Sequence, residues 1–172
     1  MEPATTIAMK ELILRLSAAT FVGGVLGLNR ELKGKPAGLR THALVTLGSA
    51  VATLTCVQTS AIPLTPDPNA LARIIQGILT GIGFLGAGVI MHDAVGRSVH
   101  GLTTAATIWI AASLGIACGI GQFREVGVAM GLIFVILIFG GPCERLINKV
   151  FNRARDKPLM QDHKSANAGN PQ

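Results

Sequence analysis

The sequence predicts an all-α membrane protein, a bundle of five transmembrane helices. Composition is the first sign: of 172 residues, 49% are hydrophobic and 14% charged, where a soluble domain carries about 25% charged residues. The second is distribution. The charges fall between long apolar runs, and a run of roughly 20 apolar residues matches the hydrocarbon core of a bilayer. The third is the spacing of small residues. Gly23 and Gly27, Gly77 and Gly81, Gly115 and Gly119, and Gly127 and Gly131 each recur one helical turn apart. Helices in lipid gain little from hydrophobic segregation and are held by close backbone approach, which small residues permit.

The first span covers about residues 12–28. The loop 29–40 is basic, with Arg30, Lys33, Lys35 and Arg40 against Glu31, and is broken by Pro36 and Gly38. Those cations, with no small-residue cleavage site before them, make the first span an anchor rather than a cleaved signal. The second span runs over 41–62 and ends at Pro63, Pro66 and Pro68, a turn-rich loop. The third covers 74–91 and the fourth 102–121. A tight link, 122–125, leads to the fifth, 126–141. The expected organisation is a five-helix domain over 1–145 and a basic, largely disordered cytoplasmic tail over 146–172.

The net charge of +6 is placed for lipid rather than for nucleic acid. Arg30, Lys33, Lys35, Arg40, Arg97 and the tail residues Arg145, Lys149, Arg153, Arg155, Lys157 and Lys164 share one side. Only Lys10, Arg15, Arg73 and Arg124 fall on the other. The positive-inside bias puts the N-terminus in the periplasm and the C-terminus in the cytoplasm of a multi-pass inner-membrane protein.

A gapless shift of 63 residues lays Leu16 on Leu79, Phe21 on Phe84, Gly23 on Gly86, Gly38 on Gly101, Leu39 on Leu102 and Thr41 on Thr104. Spans one and two then repeat as three and four in the same orientation, about an axis along the membrane normal.

Helix packing is assigned to Gly23, Gly27, Gly77, Gly81, Gly83, Gly86, Gly88, Gly115 and Gly119. Gly81, Gly83 and Gly86 match a dinucleotide fingerprint, but that motif needs a preceding strand and an acid some 20 residues on. Here it lies inside an apolar span. Trp109 is expected to pack against a neighbouring helix. No Asp or Glu stands mid-span, where carriers and pumps place ionisable groups. His42 and Ser49 are two turns apart on one helix and cannot form a catalytic pair. No catalytic set, no metal site and no cofactor site is read in the sequence. Cys56, Cys118 and Cys143 form no CxxC pair, and pairing of Cys56 with Cys118 stays open.

Polar residues gather instead at one membrane face: Asn29, Arg30, Glu31, Arg40, Thr41, His42, His92, Asp93, Thr103 and Thr104. Two helix N-termini point their unbonded N–H groups to that face. The set is a candidate face for an anion or a partner protein. Snorkelling and helix capping explain the same residues without a ligand.

Four segments carry a resemblance: Gly-Leu-Asn-Arg-Glu at 27–31, Ala-Gly-Leu-Arg-Thr-His at 37–42, Gly-Ile-Gly-Phe-Leu-Gly-Ala-Gly-Val-Ile at 81–90 and Gly-Leu-Thr-Thr-Ala-Ala-Thr-Ile-Trp at 101–109. In order and spacing the chain resembles the MgtC/SapB family of bacterial inner-membrane proteins. The resemblance implies a non-enzymatic protein that supports growth under magnesium limitation and, in a pathogen, survival inside macrophages. It implies action by regulating membrane potential or a membrane ATPase. The lipid bilayer and a membrane protein such as that ATPase are the implied partners, with homo-oligomer formation open. Longer members carry a soluble C-terminal domain, for which the stretch after the fifth span is too short. Some members have Asn where this chain has Thr103. The alternative function is a small oligomeric transporter or channel for Mg²⁺ or another ion.

Overall fold

The computed structural model describes residues 7–60, 69–92, 99–143 and 149. The chain falls into two compact units, Met1–Gly127 and Val128–Gln172. The first contains helices α1 (Met9–Leu32), α2 (Leu39–Ser60), α3 (Ala70–Val89) and α4 (Leu102–Ile120). A two-stranded antiparallel pair, β1 (Met91–His92) and β2 (Val99–His100), lies between α3 and α4, with Met91 opposite His100 and His92 opposite Val99. The fifth helix, α5 (Phe123–Cys143), begins in the first unit and continues as the described part of the second. By length and composition α1, α3, α4 and α5 are each able to cross a membrane. The protein is an all-α membrane protein. The tail over 150–172 and the loops 61–68 and 93–98 lie outside the described residues.

Helix ends explain where the elements stop. α1 runs about a turn past its apolar run at each end, because backbone hydrogen bonding does not stop where apolar composition does. It closes with Gly34 at φ 61°, whose N–H donates to the Glu31 carbonyl at 3.0 Å while Lys35 N–H donates to Arg30 at 3.0 Å. α4 closes the same way. Gly121, at φ 96°, donates to Cys118 at 3.1 Å, and Gln122 donates to Ala117 at 2.9 Å. Both are glycine-capped ends that use the otherwise orphaned carbonyls. Arg15 of α1 secures the second one by donating to the Gly119 carbonyl at 2.8 Å.

Within the first unit α2 lies between α1 and α4. On one side a Cβ added to Gly23 would collide with the His42 carbonyl, Ala43 and the Thr46 hydroxyl. One added to Gly27 would stand 2.5 Å from the Gly38 carbonyl. On the other side, Gly115 lies against Thr46 and Ser49. Gly119 lies against Ala50 and Thr53, its added Cβ 2.7 Å from the Ala50 carbonyl. The face of α2 so enclosed is polar. His42, Thr46, Ser49 and Thr53 are all buried, at steps of four, three and four residues along one side. Thr46 and Thr53 answer their own hydroxyls by donating to His42 and Ser49 carbonyls one turn back, at 3.0 and 2.8 Å. The apolar core around this stripe is built from Ala19, Leu26, Ala50, Leu54, Ile108, Ala111, Ala112 and Leu114.

α3 presents a different picture. A Cβ added to Gly86 would stand 3.5 Å from Ala105 of α4, but one added to Gly77, Gly81, Gly83 or Gly88 would meet nothing within 4 Å. These four glycines, assigned to packing from the sequence, are exposed within the first unit, with Gly77, Gly81 and Gly88 on one side of the helix. The side turned inward is the larger-residue stripe containing Ile74, Ile78 and Ile82. Trp109 is likewise 46% exposed. The rest of its surface is covered within this unit, on the side of α4 that also carries the buried Ala112 and Ile116.

The 63-residue shift reappears in the geometry. α2 begins at Leu39 and α4 at Leu102. The Gly23 contact with His42 recurs as Gly86 with Ala105. The Gly27 contact with Gly38 recurs as Gly101 against Ile90. In the second unit, Val128, Leu132, Val135, Ile136 and Phe139 are exposed along one side of α5, an apolar face suited to lipid.

Candidate functional site

The polar residues at the Gly38 end of α2 form a connected network among α1, α2 and α4. Arg30 stands near the end of α1 and is buried, 5% exposed. Its Nη2 donates a short hydrogen bond to the Thr104 hydroxyl, in the first turn of α4. One turn on, the Thr107 hydroxyl lies 2.9 Å from the Thr104 carbonyl and 3.2 Å from Nε2 of His42. His42 is fully buried. Its other nitrogen, Nδ1, faces the Gly38 carbonyl at 3.1 Å. A carbonyl only accepts, so Nδ1 carries a proton. The single Thr107 proton then has two acceptors in reach. With a neutral imidazole it serves Nε2; with a charged one Nε2 donates, and the proton serves Thr104.

Glu31 follows Arg30 but turns to a different task. Its Oε2 accepts from the Leu39 N–H at 3.0 Å, so it caps the start of α2. The carboxylate packs over Gly38, where an added Cβ would stand 2.7 Å from it. The chain reaches that position through Ala37 at φ 59°.

The remaining members of the sequence-derived face separate into groups. Arg40, Thr41 and Thr103 are exposed. Asn29 is half-buried, with a buried, unpartnered Oδ1. His92 belongs to β1, and Asp93 lies outside the described residues. Among the described residues no group of three His, Cys, Asp or Glu could hold a metal ion. Cys56 and Cys118 are not joined by a disulfide.

The family model described as MgtC family matches residues 16–146, a stretch that includes the whole network. The chain belongs to the MgtC family. It is 46% identical over 130 residues to protein SrpB of Synechococcus elongatus, covering 71% of each chain. It is 42% identical over 138 residues to protein MgtC of Salmonella typhimurium, covering 80% of this chain and 56% of that one. It thus spans little more than half the length of the Salmonella relative. YhiD of Escherichia coli (strain K12), which bears the name of a candidate magnesium transporter, is 37% identical over 146 residues, covering 83% of this chain and 66% of its own. No solved structure matches the chain.

Within this MgtC-family fold, three residues of the network were not legible as a site: Gly38, Thr46 and Thr107. Thr107 had a signal, since it follows Thr104 at the i, i+3 spacing that shares a helix face. Chemically the arrangement cross-links three helices at one end and holds a guanidinium below the surface.

Proposed function

We propose that this MgtC-family protein is a non-enzymatic regulator in the bacterial inner membrane that supports growth when magnesium is scarce. It acts by engaging a membrane protein, an ATPase or another setter of membrane potential, and in a pathogen it serves survival inside macrophages. The observation that carries this reading is the division of the polar face. Arg30, His42 and Thr104 are buried and tie the helices together, while Arg40, Thr41 and Thr103 remain exposed beside them. That is the layout of a rigid platform that displays a few polar contacts. In this reading the N-terminus is periplasmic and the exposed polar contacts face the cytoplasm, as the basic loop favours.

The test is deletion of the gene, followed by growth at low magnesium and a potential-sensitive dye. A growth defect with altered potential is expected, rescued by the wild type and not by Arg40→Ala. Unchanged growth and potential would overturn the proposal. A Mg²⁺ transporter is the second reading, favoured by the name carried by YhiD. Purified protein in liposomes separates the two, because magnesium flux is expected only from a transporter.

A further inference from the structure

We propose that Arg30 and the first turn of α4 form a binding site for a phosphate group, borne by a phospholipid headgroup or by a soluble phosphate. Arg30 is 5% exposed and has no acidic partner among the described residues. Glu31, the nearest acid in sequence, is spent on the Leu39 N–H. Among the described residues Arg30 donates one hydrogen bond, to Thr104, and its Nε is buried with no partner. A guanidinium held this way is costly unless an anion completes it. Nε and an adjacent Nη form the edge that receives two oxygens of one phosphate.

The bond to Thr104 puts this guanidinium at the start of α4. That helix begins after Gly101, which has no side chain to cap it. Its first intrahelical bond is from Ala105 N–H to the Gly101 carbonyl, 2.8 Å. The N–H groups of Leu102, Thr103 and Thr104 therefore have no acceptor inside the helix. A helix N-terminus and an incomplete arginine fork, side by side, both call for a compact polyoxygen anion. Arg30 Nε is one of three buried side-chain atoms in the described residues that lack a hydrogen-bond partner, and it is a donor, as an anion requires. Exposed Leu102 and Thr103 leave the turn open to its surroundings. Phosphate is favoured over carboxylate because the apolar run of α1 ends at Leu28, just before Arg30. That is the depth at which phospholipid phosphates lie. This inference does not rest on the magnesium reading.

The experiment uses the full chain purified in a maltoside detergent. Native mass spectrometry counts retained phospholipid. Thermal unfolding of delipidated protein is followed against inorganic phosphate, with chloride at matched ionic strength as reference. A retained phospholipid with no response to phosphate assigns the lipid source. A saturable rise in Tm with phosphate, absent with chloride, assigns the soluble one. In either arm Arg30→Gln should weaken binding tenfold or more, and Lys35→Gln should leave it unchanged. Should Arg30→Gln fail to fold, Arg30→Lys keeps the charge but gives up the fork, and the same tenfold loss is expected. No retained lipid together with no phosphate response overturns the proposal. So does equal binding by wild type and the Arg30 variants. Neither readout depends on growth, so failure here leaves the proposed function standing.

Discussion

At the scale of single residues, glycines that look alike in sequence divide by what lies opposite them. Gly23 and Gly115 face backbone and side-chain atoms of α2, while Gly81 faces open space. Replacing either of the first two by Leu should cost about 1–3 kcal/mol or more, since overpacking a filled contact forces backbone shifts. Gly81→Leu should leave thermal stability in detergent near that of the wild type. Comparing Tm values of the three variants checks both statements. Thr107 is the second test. Thr107→Val keeps the shape but leaves His42 Nε2 buried without a partner and takes a donor from the Thr104 carbonyl. A loss of about 1–3 kcal/mol is expected, read as a lower midpoint in a denaturation titration. Thr103→Val, at an exposed position of the same turn, should be nearly silent.

At the scale of elements, the glycine-capped end of α4 is the sharpest case. Gly121 combines φ 96° with an Arg15 guanidinium 3.0 Å from where a Cβ would stand. Gly121→Ala should cost about 1–2 kcal/mol for the left-handed backbone alone. The variant should also loosen the Arg15 bond to Gly119, measurable as faster proteolysis near the 121–123 link. The helices themselves were legible because apolar runs of membrane length leave little choice of structure. Their ends were less so, since Glu11 and Glu31 are polar yet helical. The β1–β2 pair had no signal, being two residues on each side. The stripe His42, Thr46, Ser49, Thr53 is present in the sequence at helical spacing. Its threonine hydroxyls bond their own backbone, however, so nothing in composition says whether that side faces a neighbour or the lipid.

At the scale of the molecule, the recurrence of α1–α2 contacts in α3–α4 argues that the fold was built by duplication of a helix pair. An experimental structure should superpose 9–60 on 72–123 with a rotation near two-fold. The orientation proposed above is tested by fusing alkaline phosphatase, which is active only outside the cytoplasm. Fusions ending at Asn69 should be active and those ending at Lys35 inactive; the reverse pattern would invert the topology. Of the candidate site, Arg30, His42 and Thr104 could be picked out in advance, because each is a polar residue at a span boundary. Their pairing could not, because Arg30 and Thr104 are 74 residues apart and only the packing of α1 beside α4 joins them. The open glycine face of α3 could not be foreseen for the converse reason: spacing tells which residues share a side, not which side has a neighbour.

The polar stripe of α2 also bears on how the protein is made. A ribosome delivers α2 well before α4, yet Ser49 and Thr53 are covered by Gly115 and Gly119 of α4. During synthesis α2 must therefore wait, with one flank shielded by α1 and the other unshielded, until the second helix pair arrives. A nascent chain halted before Leu102 should leave a cysteine placed at Ser49 open to a small maleimide from the translocation channel. The completed chain should protect the same cysteine, which makes α4 the step that commits the earlier helices to the bilayer.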